Sequence, residues 1–136
     1  MASKEQMDAL FAEARKAANF AYAPYSHFRV GAALLCDDGT VFSGCNVENR
    51  SYGLTICAER NAVLQGVARG KRTFIALAIS TPDSKDPVGP CGACRQVLSE
   101  FMPLDSPVCF GGSGSQQVNT TMGELLPYDS LHDLGT

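Results

Sequence analysis

The 136-residue chain has no surplus of positive charge: 11 Lys and Arg stand against 14 Asp and Glu, a formal net charge of -3. A domain that tracks nucleic-acid phosphates normally carries a basic excess, so DNA and RNA are not expected partners. No apolar run has the length of a bilayer span, and no membrane partner is expected. The first residues, Met1-Ala2-Ser3-Lys4-Glu5-Gln6, lack the charged and apolar regions of a secretory leader, which makes a cytoplasmic location the expectation. Only two histidines occur, His27 and His132, far apart and in no metal-ligand spacing; both are expected at the surface. Repeats and interdomain linkers are missing too. Residues 1–136 are therefore read as one domain.

What is present is an ordinary folded composition, 45% hydrophobic and 18% charged, with six cysteines. In a reducing compartment such cysteines serve as metal ligands, catalytic groups or small buried side chains more often than as disulfide partners.

Ser3 with Gln6 forms a capping box that opens a helix to about residue 20. Met7, Leu10, Phe11, Ala14 and Ala18 recur on one face of it, and Pro24 stops it. Phe28 to Cys36 has the pattern of a strand, Asp38-Gly39 of a tight turn, and Thr40 to Asn46 of the hairpin partner. Cys57 to Arg69 reads as a helix ended by Gly70, and the apolar run Phe74 to Ser80 as a buried strand. After a Pro-, Asp- and Gly-rich loop over Thr81 to Gly89, Cys91 to Phe101 reads as a short helix closed by Pro103. Pro107 to Phe110 and Gln117 to Thr120 are two further strands, and Thr121 with Glu124 caps a last helical turn through Leu126. A hairpin followed by alternating helices and strands predicts an α/β fold. The expected form is a three-layer α/β/α sandwich on a mixed sheet of about five strands.

Two segments carry chemistry: Cys57-Ala58-Glu59-Arg60 and Pro90-Cys91-Gly92-Ala93-Cys94. Cysteines at i and i+3 in a helix's first turn put both sulfurs on one face, and the helix N-terminus favours the thiolate. Cys57, also at a helix start, is the natural third ligand. Three protein ligands leave a fourth tetrahedral position for water, the mark of a catalytic zinc site. Glu59 lies two residues past Cys57, where it can face that position and move protons. Three thiolates on a divalent ion leave a formal negative charge, and Arg60 can offset it by hydrogen bonding to ligand sulfur. The blander readings are a structural zinc knuckle or a redox pair at Cys91 and Cys94, and a solvent-facing Glu59. For Cys36, Cys45 and Cys109, in predicted strands, core packing is expected.

These segments, in order with Tyr22-Ala23-Pro24-Tyr25-Ser26-His27-Phe28, Val30-Gly31-Ala32-Ala33-Leu34-Leu35, Gly44-Cys45-Asn46-Val47-Glu48-Asn49 and Glu124-Leu125-Leu126-Pro127, resemble the cytidine deaminases. The likeness runs from about Tyr22 to Leu134 and is greatest to the small homotetrameric type with three cysteine zinc ligands. A Glu two residues past a ligand, then Pro-Cys-x-x-Cys, is the zinc-deaminase signature. The resemblance implies one Zn2+ per chain on Cys57, Cys91 and Cys94, with Glu59 as proton shuttle in hydrolysis of cytidine and deoxycytidine. It also implies that Asn46 and Glu48 hold the ribose hydroxyls, a carboxylate suiting a sugar hydroxyl pair. Phe28 would stack on the pyrimidine, Ala58 would lie against the substrate, and Tyr52 would reach a neighbouring subunit's site. On the residues alone, Phe28 reads equally as core, and Asn46 and Glu48 as the end of a strand.

Three departures from the family bear on substrate range. Arg50 replaces a small residue near the neighbour's sugar, and Gly89 a common Ser. The tail Leu126-Pro127-Tyr128-Asp129-Ser130-Leu131 lacks a Phe that closes over the base, a place Tyr128 or Leu131 can take. The competing functions are the same chemistry on a modified cytidine, an aminonucleoside antibiotic such as blasticidin or a base in a polynucleotide, and a non-catalytic zinc interaction module. The free-ribose segment and the acidic charge balance weigh against a polynucleotide. Arg95 has no expected role beyond a helix-end or interface charge.

Overall fold

A computed structural model describes residues 2–134. The first helix, α1 (Lys4–Ala18), starts on the expected capping box: the Gln6 N–H donates to Ser3 Oγ at 3.1 Å, and the Ser3 N–H to Gln6 Oε1 at 2.9 Å. Leu10, Phe11, Ala14 and Ala18 are buried along one face, while Met7 is half-buried. Strands β1 (Gly31–Cys36) and β2 (Val41–Cys45) form the hairpin. Its turn needs φ of +90° at residue 39, which glycine adopts without a Cβ clash. A single helical turn at Tyr52–Leu54 precedes α2 (Ala58–Ala68) and β3 (Phe74–Ser80). Then come α3 (Gly92–Phe101), β4 (Pro107–Gly111), β5 (Gln117–Thr121) and α4 (Met122–Leu125).

The sheet order is β2-β1-β3-β4-β5, parallel at β3–β4 and antiparallel elsewhere. Because side chains alternate along a strand, β1 feeds two cores. Ala33 and Leu35 join Leu10, Phe11, Ala14, Ala76, Ala78 and Cys109 beneath α1. Ala32 and Leu34 join Phe42, Val63, Phe74, Leu77, Ile79, Leu98 and Val108 on the side of α2 and α3. Helices cover both faces, the three-layer mixed-sheet architecture that the sequence predicts. The α1 layer sits close because its neighbours are small: a Cβ on Gly31 would fall 1.9 Å from the Ala14 carbonyl oxygen. At Gly44 a Cβ would fall 2.6 Å from the Ala58 carbonyl oxygen, so α2 rides equally close on β2.

Two sequence expectations need correction. Strand β1 begins at Gly31, not Phe28, because residues 28–30 spend backbone groups on the side chains of Asn46 and Asp83 instead of on the sheet ladder. Cys36 and Cys109 are buried, but Cys45 on edge strand β2 is only half-buried and faces a groove.

Candidate metal centre

Helices α2 and α3 begin side by side, each with a cysteine as the residue that caps it. Cys57 and Cys91 hold extended backbone (φ -70°, ψ 157° and φ -67°, ψ 165°), and neither side chain is spent on capping. Their sulfurs therefore point into the space between the helix ends and lie 3.9 Å apart. Cys94, in the first turn of α3, completes a group whose three sulfurs all lie within 4.8 Å of one another. Tetrahedral bonds of about 2.3 Å require sulfurs about 3.8 Å apart, so the trio fits one zinc with no rearrangement of backbone. Cys94 is buried, Cys57 half-buried and Cys91 exposed, which leaves the cluster open on the Cys91 side.

Electrostatics support the same fit. The Cys57 thiol is pulled down to about 5 by hydrogen bonding with Cys94 and then with the Arg60 guanidinium. Cys94 is pushed up, because its proton serves the Cys57 sulfur and its site is buried. Cys57 and Cys94 thus share a proton, and a bound cation would favour the thiolate form of both. The Arg60 Nη2–H donates to Cys57 Sγ at 3.2 Å, the contact expected from charge counting, while its Nε–H is buried without a partner.

Glu59, in the first turn of α2, is 4% exposed. Burial pushes its carboxyl above the ordinary range, partly opposed by a hydrogen bond from its own backbone N–H and, to a lesser degree, one with Cys94. An acid held beside a three-sulfur cluster, out of bulk water, has the setting of a proton carrier rather than of a solvated helix face.

Apart from the helical turn at Tyr52–Leu54, residues 22–30 and 46–55 are irregular, joined by bridges Tyr22–Val47 and Val47–Ile56. Asn46 is 8% exposed, and its amide works inward: Nδ2–H donates to the Phe28 carbonyl and Oδ1 accepts from the Val30 N–H, both at 2.8 Å. Glu48 accepts from the N–H groups of Tyr25 and Ser26 and from the Ser26 hydroxyl, which keeps its carboxyl below the ordinary range. With Tyr25, Ser26, Tyr52 and Thr55 it lines an open cleft of about 260 Å³. Phe28 is half-buried and Ala58 buried, whereas Tyr52 is 73% exposed and meets Tyr25 edge-on at 5.7 Å.

Several residues here escaped sequence reasoning. Arg95 is no idle helix-end charge: Nε–H donates to the Pro90 carbonyl at 2.8 Å and Nη1–H to the Leu125 carbonyl at 3.0 Å, tying the Cys91 approach to α4. Asn61 Nδ2–H donates to the carbonyls of Cys45 (2.8 Å) and Ile56 (3.4 Å), pinning the backbone that leads into Cys57. An Asn inside an otherwise good helix former's segment was the available signal. At Gly89 a Cβ would stand 3.2 Å from Phe110, so that ring and Arg95 fill the space a serine would need. Arg50 is exposed, and Tyr128 is fully exposed at φ +57°, so Tyr128 does not close over any part of its own chain. His27 and His132 are exposed, as expected.

Residues 4–109 match the pattern of the cytidine and deoxycytidylate deaminase zinc-binding region. The chain belongs to this deaminase family. It is 49% identical over 121 residues to a cytidine deaminase of Sporosarcina psychrophila, covering 89% of this chain and 88% of that one. To the cytidine deaminase of Halalkalibacterium halodurans it is 50% identical over 118 residues, covering 87% and 89%. The solved cytidine deaminase of Burkholderia pseudomallei superposes with a TM-score of 0.85 at 46% identity, covering 89% of this chain and 96% of the other. Zinc is this deaminase family's metal, and Cys57, Cys91 and Cys94 form the one group of three such donors among the described residues.

Proposed function

We propose that this chain hydrolyses the exocyclic amine of free cytidine and deoxycytidine, yielding uridine or deoxyuridine and ammonia, in cytoplasmic pyrimidine salvage. The observation that carries the reading is the buried Glu59 carboxyl beside the open three-sulfur cluster. Cys57, Cys91 and Cys94 hold the metal. When bound, zinc acts as a Lewis acid that lowers the pKa of water towards about 7. Glu59 takes a proton from the attacking water and delivers one to pyrimidine N3 as the new C–O bond forms at C4. It then carries the second proton to the amino nitrogen, which leaves as ammonia when the C–N bond breaks. Water and substrate together supply every atom of the products. Arg60 draws charge from the Cys57 sulfur, with the α2 and α3 N-termini adding partial positive charge.

Phe28 stacks on the pyrimidine and Ala58 lies against it. By valence count, Asn46 keeps one N–H and one lone pair beyond its internal bonds, and Glu48 keeps one lone-pair site, enough for two ribose hydroxyls. The chain works as a homotetramer in which Tyr52 reaches a neighbour's site. Support comes from a groove of about 550 Å³ beside α1, β2 and α2, where Phe20 is 81% and Leu64 53% exposed. No described helix is long and apolar enough to cross a membrane.

The deciding experiment is ammonia release from zinc-assayed protein given cytidine, deoxycytidine, cytosine, adenosine and a cytosine oligonucleotide, with Glu59→Gln alongside. Turnover of the two nucleosides is expected, falling by about 10²–10⁴ in the variant with zinc retained. Full activity of Glu59→Gln would refute the assigned role, and a zinc-loaded wild type inert toward both nucleosides would refute the substrate. Sedimentation of a fully active monomer would remove the tetramer.

A further inference from the structure

The loop from Thr81 to Pro90 connects β3 to the start of α3 that carries Cys91 and Cys94, and Asp83 within it reaches Arg29 in the irregular segment 22–30. The Asp83 carboxylate accepts the Arg29 backbone N–H at 2.8 Å, Nε–H at 3.0 Å and, through its second oxygen, Nη2–H at 2.7 Å. This is a bidentate, charge-assisted pair with an added backbone bond. The Arg29 guanidinium holds the Asp83 carboxyl down at about 2, so the pair is ionised at any working pH.

Arg29 sits between the two backbone groups that Asn46 grips, the Phe28 carbonyl and the Val30 N–H. Asn46 and Asp83 therefore hold residues 28–30 between them. Asp83 is itself firmly placed. Thr81 N–H donates to the Gly111 carbonyl at 3.0 Å, Ser113 N–H to Ser84 at 2.8 Å and Gly114 N–H to Lys85 at 3.1 Å. A Cβ on Gly112 would fall 2.1 Å from the Ser84 carbonyl oxygen, so loop 81–89 lies pressed on the β4–β5 turn.

We infer that Asp83 is a positioning residue for the nucleoside: through Arg29 it sets Phe28 against the frame that carries Cys91 and Cys94. The inference rests on the cytidine-hydrolysis reading. Asp83 touches no reacting atom and acts before the chemical step, so its loss weakens ground-state and transition-state binding alike, which shows in KM rather than kcat.

The test is steady-state deamination of cytidine by zinc-assayed wild type, Asp83→Asn and Asp83→Ala, with amide exchange of residues 28–30 followed in each. Asparagine keeps an acceptor for the Arg29 N–H but loses the charge; alanine loses both. Asp83→Ala is expected to raise KM about three- to tenfold with kcat within about twofold, zinc retained and Arg29 exchange faster. Asp83→Asn is expected to fall between, with Arg29 exchange near wild type. Unchanged KM in Asp83→Ala, or a fall in kcat with zinc loss at constant KM, would overturn the inference while wild-type turnover keeps the deaminase reading intact. A wild type inert toward cytidine would sink that reading, and this inference with it.

Discussion

At the starts of α2 and α3, regular helices packed on the sheet hold Cys57, Glu59, Arg60, Cys91 and Cys94 close to two helix ends. Residues 22–30 and 46–55, by contrast, have two isolated bridges and one helical turn, and their order comes from Asn46, Glu48 and Asp83 reaching backbone groups. The first half is built by local repetition, the second by single long-range hydrogen bonds. A lone substitution should therefore act on metal and rate in the first, and on placement and affinity in the second.

The largest expected effect is at the helix ends. Cys94→Ala removes the one buried sulfur of the three in the cluster, so zinc should no longer co-purify, activity should fall to background, and stability should drop by several kcal/mol. Metal analysis and thermal unfolding check this, and a variant that keeps zinc would break the first side of the comparison. Next comes Asn46→Ala, which leaves the Phe28 carbonyl and Val30 N–H without their buried partner. It should cost about 2–3 kcal/mol in denaturant unfolding and raise KM, with zinc content unchanged. Zinc loss there would show that the two halves are not separable.

Arg95→Gln sharpens the contrast because Arg95 serves the metal side without being a ligand. Freeing the Pro90 and Leu125 carbonyls should cost about 1–2 kcal/mol and speed zinc transfer to a chelator, with little change in KM. A changed KM with unchanged zinc release would assign Arg95 to the other half.

The smallest effect is acid-side. Asp83 titrates at about 2 in the folded chain against an ordinary 3.8, so its stabilisation is complete above about pH 4 and drains away as pH falls through 2. Asp38, held down by its hydrogen bond with Lys71, acts with the same sign. Both pairs are partly solvent-exposed, and added salt should shrink the difference between wild type and Asp83→Asn in unfolding at pH 5. A difference that persists in high salt would mean that the short paired hydrogen bonds to the Arg29 guanidinium, which asparagine can make only in part, carry the pair rather than screened charge.

What the sequence determined by itself is whatever depends on short spacing. Periodicity placed α1, a continuous apolar run placed β3, Pro90 and Pro103 bracketed α3, and the turn chemistry of Asp38-Gly39 placed the hairpin. The i and i+3 separation announced the Cys91–Cys94 pair, because a helix converts that offset directly into a shared face, while Cys57 and Glu59 were legible from their motif and the fold brought Cys57 to Cys91. Only the tertiary structure decided what holds residues 28–30. Asn46 and Asp83 lie 16 to 18 and 54 residues from their partners, and no local pattern encodes such a meeting. The same holds for Arg95, whose side chain has a purpose only because α4 returns beside α3 and offers the Leu125 carbonyl. Periodic backbone geometry propagates along the chain and is legible there. A single hydrogen bond across the fold exists only once packing has brought its two ends together.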